Sequence, residues 1–419
     1  MKRLHIAFFN RAFYPEVSAT SQLLTELAEE LSRNYGCSVS VVAGVPFQAS
    51  IESWSPPKGW WLVSREELNG ISILRGLGTH FSKRRFAGRV SNYLTYFASA
   101  CMAGLRLERP DVVIALTDPP IVGLAALLAA RRFHCPLVIS YRDLFPEVGH
   151  LLEDFKSPPV DWVLTQVNRI LIRHAAHLVA LGEAMRDRLI EKGAPPNRIA
   201  IIPDWADTSA IVPAEKKNPF SVHHGLVDRF VVMHSGNMGV SQNLEMLVET
   251  AGLLKTIPDL VFVFIGEGLK KAPLQTLVKR SGLANVLFLP YEPKENLSNS
   301  FGAADCFLVS LKPGLHGYIM PSKLYGILAA GRPYVASVDE ECDVARITRQ
   351  YQCGLLAKSG DPQDVAVKIR TLYQNRSLAQ EMGARARQAA FHFDRAVGVK
   401  CYYELCRELA GVQPTQRAA

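Results

Sequence analysis

Short apolar runs recur along the chain, each followed by a segment whose apolar residues return every three or four positions. In the first half the runs are LHIAFF, VSVVA, DVVIAL, PLVIS, LVAL and IAII. Continuous runs of this length, separated by helical segments, predict a mostly parallel sheet covered on both faces. The first helix shows the pattern: Leu23, Leu24, Leu27, Ala28 and Leu31 form one apolar stripe. In the second half FVVMHS, LVFVFI, VLFL, DCFLVS and PYVAS alternate with helical stretches in the same way. Two Rossmann-like α/β domains are the expected architecture. Between them, residues 203–228 are rich in proline, polar and charged residues without sustained periodicity, and read as a linker. The expected division is therefore a domain over 1–205, a linker over 206–228 and a domain over 229–391. A C-terminal helix at about 392–411 is expected to pack back on the first domain.

Composition adds bounds. With 419 residues, 48% hydrophobic and 21% charged, the chain suits a soluble globular protein with room for more than one core. Lys and Arg outnumber Asp and Glu by 47 to 39, a net charge of +8 that favours acidic partners. The eight cysteines form no CxxC pair and sit in apolar segments, as reduced structural cysteines do, which points to a cytoplasmic protein. The N-terminal apolar run is too short for a signal peptide, and no run reaches the roughly 20 residues of a membrane span.

In doubly wound sheets, ligands sit where loops leave the carboxyl ends of strands. Three loops of the second half stand out. HSGNMGVSQNLEML carries Gly236, Asn237, Met238, Gly239 and Gln242, with no carboxylate before Glu245. FIGEGLKKAPL carries Gly266 and Gly268, and the third loop opens a helix with Pro321, Ser322 and Lys323, the serine expected as its cap. Donor-rich loops and a lysine at one edge suit a nucleotide diphosphate, because unpaired helix amides and a cation both attract anions. Each loop also has a plainer use: the glycines suffice for tight turns, and the serine and proline for a helix start.

The succession YPEVSA, YRDLFPE, IIPDWAD, HSGNMG, FIGEG, NVLFLPY, PSKLYGILAAGRP and CGLLAKSGDPQ resembles the family-4 retaining glycosyltransferases over nearly the whole chain. The likeness is strongest to their bacterial O-antigen, capsule and exopolysaccharide branch, which includes fucosaminyltransferase-like proteins. The resemblance implies the GT-B fold, two Rossmann-like domains facing across a cleft. It implies a nucleotide-sugar donor, UDP-sugar favoured, held by the C-terminal domain. The implied acceptor is a glycan or a polyprenyl-diphosphate-linked sugar entering from the N-terminal domain, and no nucleic acid partner is expected. Tyr291 and Tyr325 join the implied donor set.

Several positions depart from the family pattern. Asn237 and Gln242 stand in the loop where relatives carry Arg and Lys, leaving diphosphate charge to Lys323 and to the amides of Gly239, Ser322 and Lys323. The paired glutamates of the family would fall at Tyr318 and Gly326; the second usually holds the ribose, so Gly326 leaves three readings, an altered donor pose, a substitute such as Glu340 or Glu341, or lost activity. Ser18, Ala19 and Thr20 replace a glycine-rich turn, and Arg142 replaces a histidine.

Glycosyl transfer expels a nucleotide diphosphate, so fixed donors there stabilise the transition state. The sequence has no DxD string and no His/Cys cluster at metal spacing, so no metal and no cofactor are expected, with Lys323 in the place of the divalent ion. Front-face attack with retention is implied by the resemblance. On the acceptor side, Arg142, Asp143 and Glu147 of SYRDLFPEVGH lie beyond a strand, where a carboxylate can hold or deprotonate a hydroxyl; Asp143 can equally cap the turn. Lys83, Arg84, Arg85 and Arg89 beside Phe81 and Phe86, with Trp54–Trp61 as an aromatic edge, suit peripheral docking on anionic lipid or a solvated helix end. Val90, Leu94, Phe97, Cys101 and Leu105 then line one face of the following helix. Two alternatives remain at this point, a GT-B nucleotide-sugar epimerase and a sugar-nucleotide-binding protein without catalysis.

Overall fold

The computed structural model describes residues 3–16, 18–46, 62–79, 81, 86–152 and 157–412. They fall into two compact units, one of residues up to 149, 157–203 and 398–412, the other of 150–152 and 204–397.

The first unit is built on eight strands: β1 (His5–Phe9), β2 (Ser38–Gly44), β3 (Val63–Leu68), β4 (Ile71–Gly76), β5 (Val112–Leu116), β6 (Leu137–Ser140), β7 (His177–Ala180) and β8 (Ile199–Ile201). Their order is β3-β4-β2-β1-β5-β6-β7-β8, parallel except for the β3–β4 hairpin. Every residue of β1 and β5 is buried, because helices cover both faces, and this is why these strands read as unbroken apolar runs. The hairpin was not among the expected strands. Its signal is Asn69-Gly70, both at positive φ, as a two-residue turn between right-twisted strands requires.

Helix Ala19–Arg33 buries Leu24, Leu27, Ala28 and Leu31, and the Ser18 hydroxyl accepts from the Ser21 amide as its N-cap. In helix Phe86–Leu105 the apolar stripe read from the sequence is not the buried face. The helix buries Asn92, Tyr96, Ser99, Ala100 and Ala103 and leaves Leu94 55% and Leu105 58% exposed. The cause is hydrogen bonding: the Tyr96 hydroxyl donates to the Val42 carbonyl (3.2 Å) and the Ser99 hydroxyl to the Leu77 carbonyl (2.7 Å). Helix Arg395–Leu409 supplies Tyr402, whose hydroxyl lies 2.7 Å from the Ser140 hydroxyl at the end of β6.

The second unit has six parallel strands, β9 (Phe230–Ser235), β10 (Leu260–Ile265), β11 (Val286–Leu289), β12 (Cys306–Ser310), β13 (Tyr334–Ser337) and β14 (Gly354–Ala357). The order β11-β10-β9-β12-β13-β14 reverses direction at β9, so the crevice lies outside the carboxyl ends of β9 and β12. The stretch expected to be a linker packs within this unit. Asn218 and Ser221 form a capping box for helix Pro219–His223, and the Asn218 side chain donates to the Asn299 carbonyl at 2.9 Å.

Candidate functional site

The donor-rich loops meet at the carboxyl edge of β9. Gly236 follows β9 and Gly266 follows β10, and the Gly236 amide donates to the Ile265 carbonyl at 2.9 Å. The Met238 amide donates to the Glu267 carbonyl (2.8 Å), which ties the second loop to the first. A Cβ on Gly268 would stand 2.5 Å from the Met238 carbonyl oxygen and 2.7 Å from Asn237 Oδ1. Both Gly266 and Gly268 have φ near +140° to +150°, a conformation that favours glycine.

Lys323 projects into this mouth. Its Cε and Nζ stand 3.8 and 3.9 Å from where a Gly236 Cβ would be, and Nζ lies 3.1 Å from His234 Nε2. Burial pushes the Lys323 ammonium down to about 7. Burial and the neighbouring Lys323 push the fully enclosed His234 ring well below its ordinary value, so that ring is neutral. Lys270 and Lys271, at the same edge, are paired with Glu245 and Glu267. Lys323 thus faces a neutral imidazole where the other lysines face carboxylates. His234 was given no role from the sequence; a histidine following FVVM in a buried strand is the signal that marks it. The Tyr291 ring, beyond β11, approaches Gly266, with 51% of the residue exposed.

The other residues of the expected donor set are placed as follows, and the expected Ser322 cap does not form. The Gly239 amide is already taken by Gln242 Oε1 (2.8 Å), so Gln242 serves here as acceptor to its own loop. Ser322 has helical backbone angles and makes no side-chain cap, because an Ncap hydroxyl reaches the helix amides only from an extended backbone. Met238 is fully buried in the hydrophobic core, contributing only its backbone to the loop. Tyr325 is 1% exposed with its ring 5.2 Å from that of Phe393; two residues on from Lys323, it points to the opposite side of the helix.

In the first unit, the Thr117 hydroxyl accepts from the Arg142 amide (2.9 Å) and orders the turn after β6 that carries Asp143. Glu147 opens helix Glu147–Leu151 and is ion-paired with Lys192. Ser18 is spent on its cap, with Ala19 and Thr20 inside the helix. Arg11, unforeseen, is held between Glu16 (3.2 Å) and Asp118 (3.3 Å) just beyond β1. Burial works against its charge, and Asp118 and Glu16 outweigh that and raise its pKa. The stretch Lys83 to Arg85 and Trp54–Trp61 lie outside the described residues. Among the described residues no group of three or more His, Cys, Asp or Glu is placed to hold a metal ion.

Two family descriptions match consecutive parts of the chain. "Glycosyl transferase 4-like domain" matches residues 19–205, and "Glycosyl transferases group 1" matches residues 217–389. This chain belongs to the family-4 GT-B glycosyltransferases. The glycosyltransferase is 23% identical to Escherichia coli WcaI, whose name is that of a colanic acid biosynthesis glycosyl transferase, over 83% of this chain and 86% of that protein. It is 24% identical to the Campylobacter jejuni N,N'-diacetylbacillosaminyl-diphospho-undecaprenol alpha-1,3-N-acetylgalactosaminyltransferase over 67% of this chain and 72% of that one. Among solved structures, Anabaena Alr3699/HepE in complex with UDP superposes with a TM-score of 0.73 at 15% identity, covering 97% of this chain and 100% of that one.

The altered family positions of this glycosyltransferase have local causes. A Cβ at Gly326 would stand 3.3 Å from the Phe301 ring and 3.8 Å from Ile211 Cδ1, so the surroundings of this position are apolar. Glu340 is exposed and pairs with Arg349 at 3.5 Å. Between the loops after β12 and β13, His316 Nδ1 lies 2.8 Å from Asp339 Oδ2, which also accepts from the Gly314 amide at 2.7 Å. Burial works against the Asp339 carboxylate, and the bonds from His316, Ser359 and Gly314 outweigh it, lowering its pKa.

Proposed function

We propose that this glycosyltransferase moves a sugar from a nucleotide-diphosphate sugar, a UDP-sugar before others, to a lipid-linked or oligosaccharide acceptor in surface-polysaccharide biosynthesis. The transfer proceeds with retention and without a metal ion. The observation that carries the donor assignment is Lys323, a half-buried lysine beside the His234 ring at a glycine mouth. As the diphosphate leaves, its growing charge lies against Lys323 Nζ and the glycine backbone, where a dry site makes the attraction large. Lys323 takes the place of a divalent ion in this scheme. Tyr291 lies beside the same mouth, with an exposed ring able to cover a base or sugar.

The solved HepE complex with UDP supports the choice of donor, and the names of the Escherichia coli and Campylobacter jejuni relatives support the pathway and the polyprenyl-linked acceptor. On the acceptor side Asp143 holds or deprotonates the attacking hydroxyl. The protein works in the cytoplasm at the inner membrane face, where lipid-linked sugars are presented.

The test is incubation with UDP-, GDP- and ADP-sugars, each with and without membrane extract, following nucleotide release and transfer to lipid. Acceptor-dependent release of UDP is the expected result. Conversion of the sugar nucleotide without acceptor would replace transfer by epimerisation. Binding with no turnover under any condition would leave a sugar-nucleotide-binding protein.

A further inference from the structure

Three helices of the first unit lie side by side: Phe86–Leu105, Val122–Phe133 and Pro158–His174. A Cβ on Gly104 would meet Ala129 Cβ at 3.4 Å, and one on Gly123 would meet Leu171 Cδ1 at 2.6 Å, which joins the first to the second and the second to the third. A helix packed on a sheet ordinarily turns its apolar stripe inward and a polar face to water. Here the outward face is apolar as well.

Trp162 is 66% exposed, Val163 45% and Ile170 41%. On the same layer Leu128 is 51% exposed, and Leu94 and Leu105 are more than half exposed. On the helix Pro158–His174 the inward residues are Leu164, Val167, Asn168, Leu171 and Ile172. At about 100° per residue, Trp162, Val163 and Ile170 share an outward arc of roughly 120° with Arg169 and Arg173. Both arginines are exposed, as are Arg131 and Arg132 on the neighbouring helix.

The charge of this layer is one-sided. The sequences of the three helices hold five arginines and one aspartate, Asp161. A face carrying both exposed tryptophan and leucine and an excess of arginine does not suit bulk water or an acidic soluble protein alone. It matches the boundary of an anionic bilayer, where tryptophan sits at headgroup depth and arginine stems lie along apolar surface with their heads at phosphate.

We propose that this three-helix face docks the glycosyltransferase on anionic lipid, with Trp162, Val163 and Ile170 entering the headgroup boundary and Arg131, Arg132, Arg169 and Arg173 meeting the phosphates. The inference deepens the reading that the acceptor is lipid-linked, and it needs no contribution from the donor site. The attraction to lipid has two parts, one screened by salt and one not.

The experiment is flotation of the full chain with vesicles of phosphatidylcholine alone and of phosphatidylcholine with phosphatidylglycerol, at low and high salt. Wild type is expected to float with the anionic vesicles and not with the neutral ones. Arg169→Glu/Arg173→Glu should lose at least about tenfold in partition at low salt. Trp162→Ser/Ile170→Ser should lose the part that survives high salt. All of these residues are exposed, so folding is checked by thermal melting, and UDP binding of the variants should equal that of wild type. Equal flotation of both variants and wild type, or no flotation of wild type, overturns the proposal. So does light scattering that shows a dimer of wild type split by the Trp162→Ser/Ile170→Ser change, since a second copy would then be what covers the face. Failure of UDP binding in all proteins together would strike the donor assignment and leave the lipid face standing on its flotation.

Discussion

A β-carbon on Gly266 would stand 2.1 Å from the carbonyl oxygen of Gly236. The loops after β9 and β10 therefore meet at a point where only glycine fits, and this contact shapes the mouth in which Lys323 lies. Gly266→Ala combines that clash with a φ of +137° and should destabilise the protein by about 2–4 kcal/mol in urea denaturation, with loss of UDP binding. Gly252→Ala is the control. Its Cβ would have its nearest neighbour at 3.8 Å within a helix, and the change should raise stability by up to about 1 kcal/mol. Equal stability of the two variants would dissolve the argument from contact.

Lys323→Ala should lower kcat by at least about a hundredfold while the fold is kept, because it removes the cation that faces the leaving diphosphate. Unchanged turnover would remove Lys323 from the reaction.

The same lysine sets a pH dependence. An ordinary lysine titrates near 10.5, and Lys323 in the folded chain near 7. Between these values the unfolded chain holds more protons, so stability rises with pH through this window, by at most about 1.4 kcal/mol per pH unit from this group. Lys323→Met should remove that slope and raise the melting temperature at pH 7. Calorimetric titration of UDP at pH 8 in buffers of different ionisation enthalpy should show proton uptake in wild type and none in the variant. Identical pH profiles of stability in both proteins would contradict the assignment.

Asp143 and Glu147 should part company. Asp143→Asn is expected to lower kcat at least about tenfold at unchanged UDP affinity. Glu147→Gln breaks the pair with Lys192 and should cost stability, about 0.2–1 kcal/mol, with turnover held within a few-fold. A loss of kcat in Glu147→Gln as large as in Asp143→Asn would restore Glu147 to the chemistry.

Turnover should persist in EDTA, since the charge compensation is assigned to Lys323. Activity lost to the chelator and restored by magnesium or manganese would shift that role to a metal.

The doubly wound pattern was legible because buried parallel strands are continuous apolar runs, as in LHIAFF and LVFVFI. Of the strands that escaped, β3 and β14 lie at sheet edges, β3 with the mixed run VSREEL, and β4 is a largely buried inner strand whose run ISILRG is broken by a serine and an arginine. Gly236, Gly266 and Lys323 could be singled out because their backbone needs and charge are local properties. Which way Tyr325 turns, what Glu147 pairs with and that His234 lies under Lys323 depend on residues far away in sequence. The buried face of helix Phe86–Leu105 was hidden for a related reason: its Tyr96 and Ser99 are buried because the carbonyls of Val42 and Leu77 receive them.

The bond between Tyr402 and Ser140 spans 262 residues, and it has a consequence in time. The ribosome releases β6 long before it makes the helix that completes the same sheet's surroundings, with Cys406 fully buried and Tyr403 against Tyr35 at 4.3 Å. At roughly 5–20 residues per second the first unit waits on the order of tens of seconds for its final layer. During synthesis its apolar surface stands open while the whole second unit is made. A fragment of residues 1–203 would stay in that unfinished condition, whereas a permuted chain that begins with residues 398–412 and continues into β1 would carry its closing helix from the start.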